Sequence, residues 1–310
     1  DVGWGGLADV FDESKSNWTN EYHELKDLLN EDEYRNARES TLTAFYTPSV
    51  VIESIYQILS NLGFRYGNIL EPACGTGNFM GLVPESMKDS KMYGIELDSI
   101  TGRIAKQLYQ NANISIEGYE DTKLPDSFFD VAVGNVPFGQ FGVVDKRYDK
   151  YHFNIHDYFF AKTLDKVRPG GIIAFVTSRF TMDKANSSVR KYISERAELL
   201  GAIRLPNNTF SESANTKAVS DILVLQKRDR PMVVDEAWLY TEKDSQGNVM
   251  NSYFVSHPNM ILGNVEKSKN MYGREDLTVT PYEDVTLKEA LDSAIPVSYT
   301  HLTLPTILRV

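Results

Sequence analysis

The sequence predicts an α/β fold with a mostly parallel, seven-stranded sheet that an antiparallel hairpin closes. Three observations predict it. Short apolar runs alternate with amphipathic helical stretches through residues 46–230, as in βαβ units. A glycine loop follows the first apolar run, and an acid ends the second run about 20 residues later. Finally, the residues between the last two apolar runs, 199–206 and 220–227, lack a helical period. The absence of a connecting helix favours an antiparallel pair.

Composition narrows the possible functions. With 310 residues, 42% of them hydrophobic, the chain has room for one large domain with extensions. We expect no membrane span, since no apolar run reaches about 18 residues, and the single cysteine fits a reducing cytoplasm. The 5 histidines lack metal-ligand spacing. A net charge of −11 argues against nonspecific nucleic-acid binding by the bulk surface, because phosphate affinity comes from Lys and Arg.

Residues 1–45 predict a helical N-terminal arm, because apolar residues recur at helical spacing within 18–29 and 31–38. The chain begins with Asp1 instead of Met, so we expect a fragment or a processed chain. The next segment has two interpretations. Thr47 can cap a helix with Pro48 in its first position; alternatively, Phe45 and Tyr46 present aromatic and backbone groups to a ligand.

The first predicted strand, 68–70, leads into the glycine loop, where Gly75 and Gly77 permit a tight turn and close approach of a ligand. The second strand ends at Glu96, where an acid of a Rossmann-type sheet binds ribose hydroxyls. We expect Asp98 to cap the following helix. Met80 occupies the position of the third glycine in the dinucleotide spacing, which favours a cofactor without phosphates, such as S-adenosylmethionine.

The third predicted strand, 114–116, is followed by two acids, Glu120 and Asp121. Either carboxylate could accept the amino hydrogens of the adenine moiety of a cofactor, and the sequence does not choose between them. Both could equally well lie on a solvated turn.

The fourth predicted strand ends in Asn135-Val136-Pro137-Phe138. This sequence brings together an amide, an exposed backbone carbonyl and a flat ring, which suits the binding of a planar amino group. The loop 141–151 carries Lys146, Arg147 and Lys150 among aromatic residues. It is either a nucleic-acid contact or a solvated loop.

The remaining elements complete the sheet and extend beyond it. The continuous apolar run 171–177 predicts a fifth strand buried on both faces. Residues 231–296 predict a C-terminal extension of unclear fold, with a small hairpin around 245–248 and a short helix at 286–294. Residues 297–310 resemble translated sequencing-adapter sequence, and we expect them to be a non-native tail.

Four motifs in this order resemble the N6-adenine DNA methyltransferases of the gamma group: residues 44–48, 71–79, 94–98 and 135–138. Residues 204–210 followed by 221–225 look like the close of the catalytic domain in type I modification subunits. Residues 3–7 resemble the methylase part of very large methylase–helicase proteins of mobile elements.

This resemblance implies a Rossmann-like class I fold that uses S-adenosylmethionine to methylate the N6 amino group of a flipped adenine in DNA. It also implies a fused or partner helicase or specificity region. The implied catalytic residues are Asn135, Val136, Pro137 and Phe138. The implied cofactor-binding residues are Phe45, Tyr46, Thr47, Pro48, Glu71, Pro72, Ala73, Cys74, Gly75, Gly77, Glu96, Leu97, Glu120 and Asp121.

The sequence departs from the family at Val136, where the family usually has a proline. Its carbonyl can still bind, but we expect a less rigid loop. Alternative functions are a glutamine or RNA-base methyltransferase and a noncatalytic DNA- or cofactor-binding module of a helicase. A nicotinamide oxidoreductase is disfavoured by the glycine spacing.

Overall fold

The computed structural model describes residues 4–41, 46–211, 218–269 and 275–299. Its strands are β1 Asn68–Glu71, β2 Lys91–Glu96, β3 Asn113–Ile116, β4 Phe129–Asn135, β5 Val167–Ser178, β6 Ala197–Leu205, β7 Ser220–Lys227, β8 Thr241–Lys243, β9 Val249–Asn251, β10 Asn264–Lys269 and β11 Glu275–Thr280. Its α-helices are α1 Thr19–Leu28, α2 Glu31–Ser40, α3 Ser49–Asn61, α4 Asn78–Gly81, α5 Ser99–Leu108, α6 Ile155–Lys166, α7 Phe180–Asp183, α8 Ser188–Arg196, α9 Ser252–Ser256 and α10 Leu287–Tyr299.

The main sheet has seven strands in the order β3-β2-β1-β4-β5-β7-β6. Strands β1 to β5 pair in parallel, whereas β7 pairs antiparallel with both β5 and β6. The predicted sheet and its closing hairpin are therefore confirmed. The strand order reverses between β1 and β4, and ligands of open α/β sheets bind beyond the carboxyl ends of the strands at such a switch point. The fold thus places the crevice between the ends of β1 and β4.

Buried apolar strands form the centre of the molecule. All residues of β4 before Asn135 are buried, and so is the run 171–177 of β5, as predicted for a strand covered on both faces. Asp98 caps α5 by accepting hydrogen bonds from the backbone N–H groups of Ile100 and Thr101, also as predicted. The predicted cap of α3 is wrong: Pro48, and not Thr47, is its N-cap residue, and no side chain caps it.

The N-terminal arm is helical, as predicted, and has a small hydrophobic cluster of its own. Val10, Phe11 and Ala37 are its buried residues, and Trp4 packs against them. Helix α2 begins with a capping box, in which Asn30 and Glu33 satisfy each other's backbone N–H groups. Among the described residues of the chain, no helix is long and apolar enough to cross a bilayer.

The C-terminal extension shares the main hydrophobic core, which includes Trp238, Met250 and Phe254. The predicted hairpin is present as β8 and β9, and a second hairpin, β10–β11, follows it. The predicted last helix is also present as α10, which packs against α3 and β6. It continues to Tyr299, into the segment predicted as a tail, and residues 300–310 lie outside the described residues.

Candidate active site

A cavity of about 540 Å³ lies at the carboxyl ends of β1, β2, β3 and β4. The glycine loop after β1 and the end of β4 both contribute to its wall, so the two motifs belong to one site. The cavity is lined by these residues of the predicted site: Tyr46, Thr47, Glu71, Pro72, Ala73, Cys74, Gly75, Glu96, Leu97, Glu120, Asn135 and Pro137.

Other residues of the predicted site are not part of this wall: Pro48, Gly77, Asp121, Val136 and Phe138. Phe45 lies outside the described residues. Of the two acids left open by the sequence, Asp121 is exposed to solvent, whereas Glu120 lines the cavity. Glu120 is therefore the acid that a ligand in this cavity could reach.

The two glycines of the loop have different roles. Gly75 lines the cavity with φ at +55°, and Tyr46 is the neighbour that a Cβ on it would meet, at 3.6 Å. Gly77 adopts φ of +89°, and a Cβ there would lie 2.5 Å from the Tyr109 ring. Gly77 is thus required for the tight turn and for packing on Tyr109.

The position of the missing third glycine also has a structural explanation. Met80 on α4 faces Gly94 on β2, where a Cβ would lie 2.5 Å from the Met80 Cε atom. The close approach of helix and strand is thus achieved with the glycine on the strand instead of the helix. Because α4 has only four residues, the structure offers a weaker anion site here than a long helix would.

Glu96 is held in a fixed orientation at the end of β2. Its Oε2 atom accepts a hydrogen bond from the Gly75 N–H at 2.8 Å, and its Oε1 atom accepts one from the Asp98 N–H, also at 2.8 Å. Burial raises the pKa of Glu96 to about 7, although these backbone donors oppose the shift. A carboxylate has about four acceptor sites, so it can still accept ribose hydroxyls.

Glu71 is deeply buried in the cavity wall, with 2% of its surface exposed. Burial raises its pKa well above the ordinary value, and the nearby Glu96 raises it further. Its Oε2 atom is buried and has no hydrogen-bond partner among the described residues. A buried carboxylate of this kind is stabilised by a cation, and S-adenosylmethionine carries both an ammonium and a sulfonium group.

The charge of the wall supports this fit. Six carboxylic acids line the cavity, and no Lys, Arg or His among the described residues does so. A pyrophosphate would be repelled here, since like charges in a partly desolvated site interact strongly. The arrangement therefore agrees with a cationic, phosphate-free nucleoside and disagrees with a nicotinamide dinucleotide. The six acids are Glu39, Glu71, Glu96, Asp98, Glu117 and Glu120.

Val136, directly after β4, packs its side chain into the core, and 1% of the residue is exposed. Its backbone N–H donates to the Val176 carbonyl at 3.1 Å. This bond extends the pairing of β4 with β5 by one residue. A proline could not make it, because proline has no N–H. The hydrogen bond thus holds the loop where the family uses the stiffness of the ring.

Two phenylalanines near the end of β4 have different surroundings. Phe138 packs against the main core, whereas Phe141, with 47% of its surface exposed, lines the cavity. Sequence reasoning also missed Trp4 and Tyr119 as cavity residues. For Phe141 the signal was only its place three residues after the motif.

The basic loop beyond Phe141 is partly neutralised. The Arg147 guanidinium pairs with Asp126 and Asp165, each at 2.9 Å. Lys146 and Lys150 are exposed, and the Lys150 ammonium lies 4.9 Å from the centre of the Tyr151 ring.

Two solved structures share this architecture. The first is a modification subunit of a putative type I restriction enzyme from Vibrio vulnificus YJ016, with a TM-score of 0.50, 17% identity, and coverage of 85% of this chain and 63% of that one. The second is a type I methyltransferase subunit from Streptococcus thermophilus, with a TM-score of 0.52, 14% identity, and coverage of 81% and 69%. These similarities support the class I S-adenosylmethionine-dependent methyltransferase fold.

Two curated proteins are similar in sequence. Defense against restriction protein B of Escherichia phage P1 is 31% identical over 222 residues, which are 70% of this chain and 10% of that protein. Modification methylase CviBIII of Paramecium bursaria Chlorella virus NC1A is 28% identical over 148 residues, 45% of this chain and 38% of that protein. The chain thus spans a minor part of each relative. Residues 29–285 match the family model described as N-6 DNA Methylase, and the chain belongs to this family.

Proposed function

We propose that the chain transfers a methyl group from S-adenosylmethionine to the N6 amino group of adenine in DNA. The observation that carries the proposal is the shared cavity, in which Asn135 at the end of β4 and the Glu71–Gly75 loop after β1 line one space. Membership of the N-6 DNA methylase family supports it.

The proposed chemistry depends on how the amino group is held. The lone pair of an adenine amino nitrogen is delocalised into the ring, so the nitrogen is a poor nucleophile. The Asn135 side-chain oxygen and the Val136 carbonyl accept its two hydrogens and draw the nitrogen toward tetrahedral geometry. Such fixed acceptors stabilise the charge that develops in the transition state, and positioning contributes a further part of the rate.

The cofactor, when bound, supplies an electrophilic methyl group on its sulfonium. Glu71 holds the cationic part, Glu96 accepts the ribose hydroxyls, and Glu120 accepts the adenine amino hydrogens. This division follows the positions of the three acids, since Glu71 ends β1, Glu96 ends β2 and Glu120 follows β3. Tyr46 lies over Gly75 and shields the glycine loop.

The target base leaves the duplex to enter such a cavity, as base methyltransferases require. The acidic wall and the net charge of −11 leave little phosphate affinity on the bulk surface. We therefore propose that a fused or partner helicase or specificity region supplies much of the DNA grip. The small share of each curated relative that this chain spans supports this division of labour.

The test uses labelled S-adenosylmethionine with separate pools of DNA, RNA and protein. We expect label in DNA, recovered as N6-methyladenine after digestion and chromatography. Label confined to RNA or to protein would overturn the DNA assignment.

The second test replaces Asn135 by alanine. Loss of one preorganised acceptor predicts a fall in methyl transfer of about 10²–10³-fold, with cofactor binding retained in calorimetry. The control is Asn111→Ala, which removes an exposed side-chain amide from the loop after α5. We expect this variant to keep full activity. Equal activity of the Asn135→Ala variant would overturn the role of Asn135, and cofactor binding by a wild type that transfers no methyl group would indicate a noncatalytic module instead.

A further inference from the structure

Trp4, in the N-terminal arm, lies in the wall of the cavity, together with Glu39 and Ser40 from the end of α2. Its indole Nε1–H donates to the Asp98 Oδ2 atom at 3.0 Å. Asp98 is 1% exposed and caps α5, so it is a rigid anchor. Trp4 thus contacts Asp98, two positions after Glu96, although Trp4 and Asp98 are 94 positions apart in the sequence.

Further contacts hold the arm in this position. The Gly6 N–H donates to the Thr41 carbonyl at 3.1 Å, which ties the start of the arm to the end of α2. Arg103 on α5 pairs with Glu33 on α2 at 2.7 Å. The Trp4 ring also meets Phe11 edge to face, with 5.5 Å between the ring centres. The indole is therefore held by Asp98 and Phe11, while the other two contacts hold the arm that carries it.

The chemistry of the indole suits a nucleoside. Its N–H is occupied by Asp98, so what remains for a ligand is a large, flat apolar surface. Aromatic faces bind purines and sugars by stacking and by burial of apolar area. The indole contacts Asp98 just beyond the end of β2, and Glu96 at the end of this strand lines the same cavity. This is the end where a ribose and an adenine would be bound.

We infer that Trp4 is a cofactor-binding residue and that the N-terminal arm, residues 4–41, completes the nucleoside end of the cofactor site. The inference rests on the proposed function, because it assumes that this cavity binds S-adenosylmethionine. It assigns to Trp4 and the two glycines after it a role in cofactor binding. Cofactor binding and docking of the arm then stabilise each other.

The first experiment measures binding by calorimetry with S-adenosylhomocysteine, 5′-methylthioadenosine and methionine. Trp4→Ala weakens the first two ligands about 10-fold, since both carry the nucleoside. It leaves any binding of methionine unchanged. Trp4→Phe keeps a ring but loses the bond to Asp98, so its affinity falls between those of Trp4→Ala and the wild type. Trp18→Phe is the matched control, because Trp18 packs in the arm and does not line the cavity.

The second experiment follows tryptophan fluorescence during titration with S-adenosylhomocysteine. The chain has 3 Trp residues. The wild type and Trp18→Phe show a change in emission that saturates with the ligand, and Trp4→Phe loses this change. This measurement tests whether Trp4 contacts the ligand even if Trp4→Ala does not fold.

The outcomes distinguish failure of the proposed function from failure of the proposed role of Trp4. If the wild type binds none of the nucleoside ligands, the proposed function fails and the inference fails with it. If the wild type binds them, unchanged affinity in Trp4→Phe together with a persisting change in emission overturns the inference alone.

Discussion

Two groups of buried carboxylates differ in how their charge is compensated. The first group, Glu71 and Glu96, lines the cavity. The second, Asp183 and Asp221, lies where α7, β6 and β7 meet the C-terminal extension. Glu71, Asp183 and Asp221 are almost inaccessible to water and Glu96 is partly buried, but only the second group is paired with a guanidinium.

Arg204 is the centre of the second group. It is fully buried and makes a bidentate pair with Asp221, at 2.8 and 2.9 Å, and an ion pair with Asp183 at 2.8 Å. Burial alone would lower the pKa of Arg204, but Asp183 and Asp221 raise it above its usual range. Its guanidinium lies 4.2 Å from the centre of the Phe254 ring, so the same group attaches the extension.

The two acids of the first group have no guanidinium partner among the described residues. Glu96 accepts two backbone hydrogen bonds, and the Oε2 atom of Glu71 accepts none from the described residues. Buried charge that is neutralised inside the protein maintains the fold. Buried acid that faces a cavity without a cation suits a cationic ligand, and such perturbed groups are typical of functional sites. The following predictions test this difference.

The largest expected effect is that of Arg204→Met. It leaves Asp183 and Asp221 buried without their guanidinium, and breaking a buried pair in this way costs about 3–5 kcal/mol of the free energy of unfolding. Urea denaturation followed by circular dichroism measures it. Lys288→Met removes one partner of an exposed pair with Asp292 and changes the free energy by less than about 1 kcal/mol. Equal midpoints for the two variants would contradict a structural role of Arg204.

The second effect is the pH dependence of stability that Glu96 causes. Its pKa rises from 4.5 to about 7 on folding. Between these values the folded chain holds a proton that the unfolded chain releases, so the free energy of unfolding falls as pH rises. The total is about 3 kcal/mol, from 1.36 kcal/mol per pKa unit.

Urea midpoints between about pH 5 and 8 measure this slope. Glu96→Gln carries no titrating group at this position, so its slope is flatter than that of the wild type. Glu85→Gln, at an exposed pair with Lys88, keeps the wild-type slope. A slope that persists unchanged in Glu96→Gln would show that other groups cause it.

The smallest of the three effects is that of Glu71→Gln on ligand binding. The amide is nearly isosteric and neutral, so we expect the free energy of unfolding to stay within about 0.5 kcal/mol or to rise, because no basic partner is lost. Affinity for S-adenosylmethionine falls by about 10–100-fold, which corresponds to loss of a charged hydrogen bond worth about 1.5–3 kcal/mol.

Calorimetry in buffers with different ionisation enthalpies sharpens this prediction. The raised pKa of Glu71 means that binding of a cation releases a proton, and Glu71→Gln removes this release. Strong destabilisation of Glu71→Gln with unchanged affinity would place Glu71 with the structural group of Arg204.

The strand ends and the loops after them were predictable, because their signals are local. Gly75, Glu96 and Asn135 each end or follow an apolar run, and the carboxyl ends of parallel strands meet at one edge of a sheet. The contact of Gly77 with Tyr109 was not predictable, because a glycine needed for packing looks the same in sequence as one that approaches a ligand. The choice between Glu120 and Asp121 depends on the turn after β3, which the sequence does not specify.

The sequence by itself determined the order of the elements along the chain, the mostly parallel sheet with its closing hairpin and the chemical groups at the strand ends. These follow from periodicity and from backbone freedom within a few residues. Only the tertiary structure decided which buried acids have a cationic partner and which face the cavity. It alone brought Trp4 to Asp98, because contacts between distant residues depend on how whole elements pack and not on any local pattern.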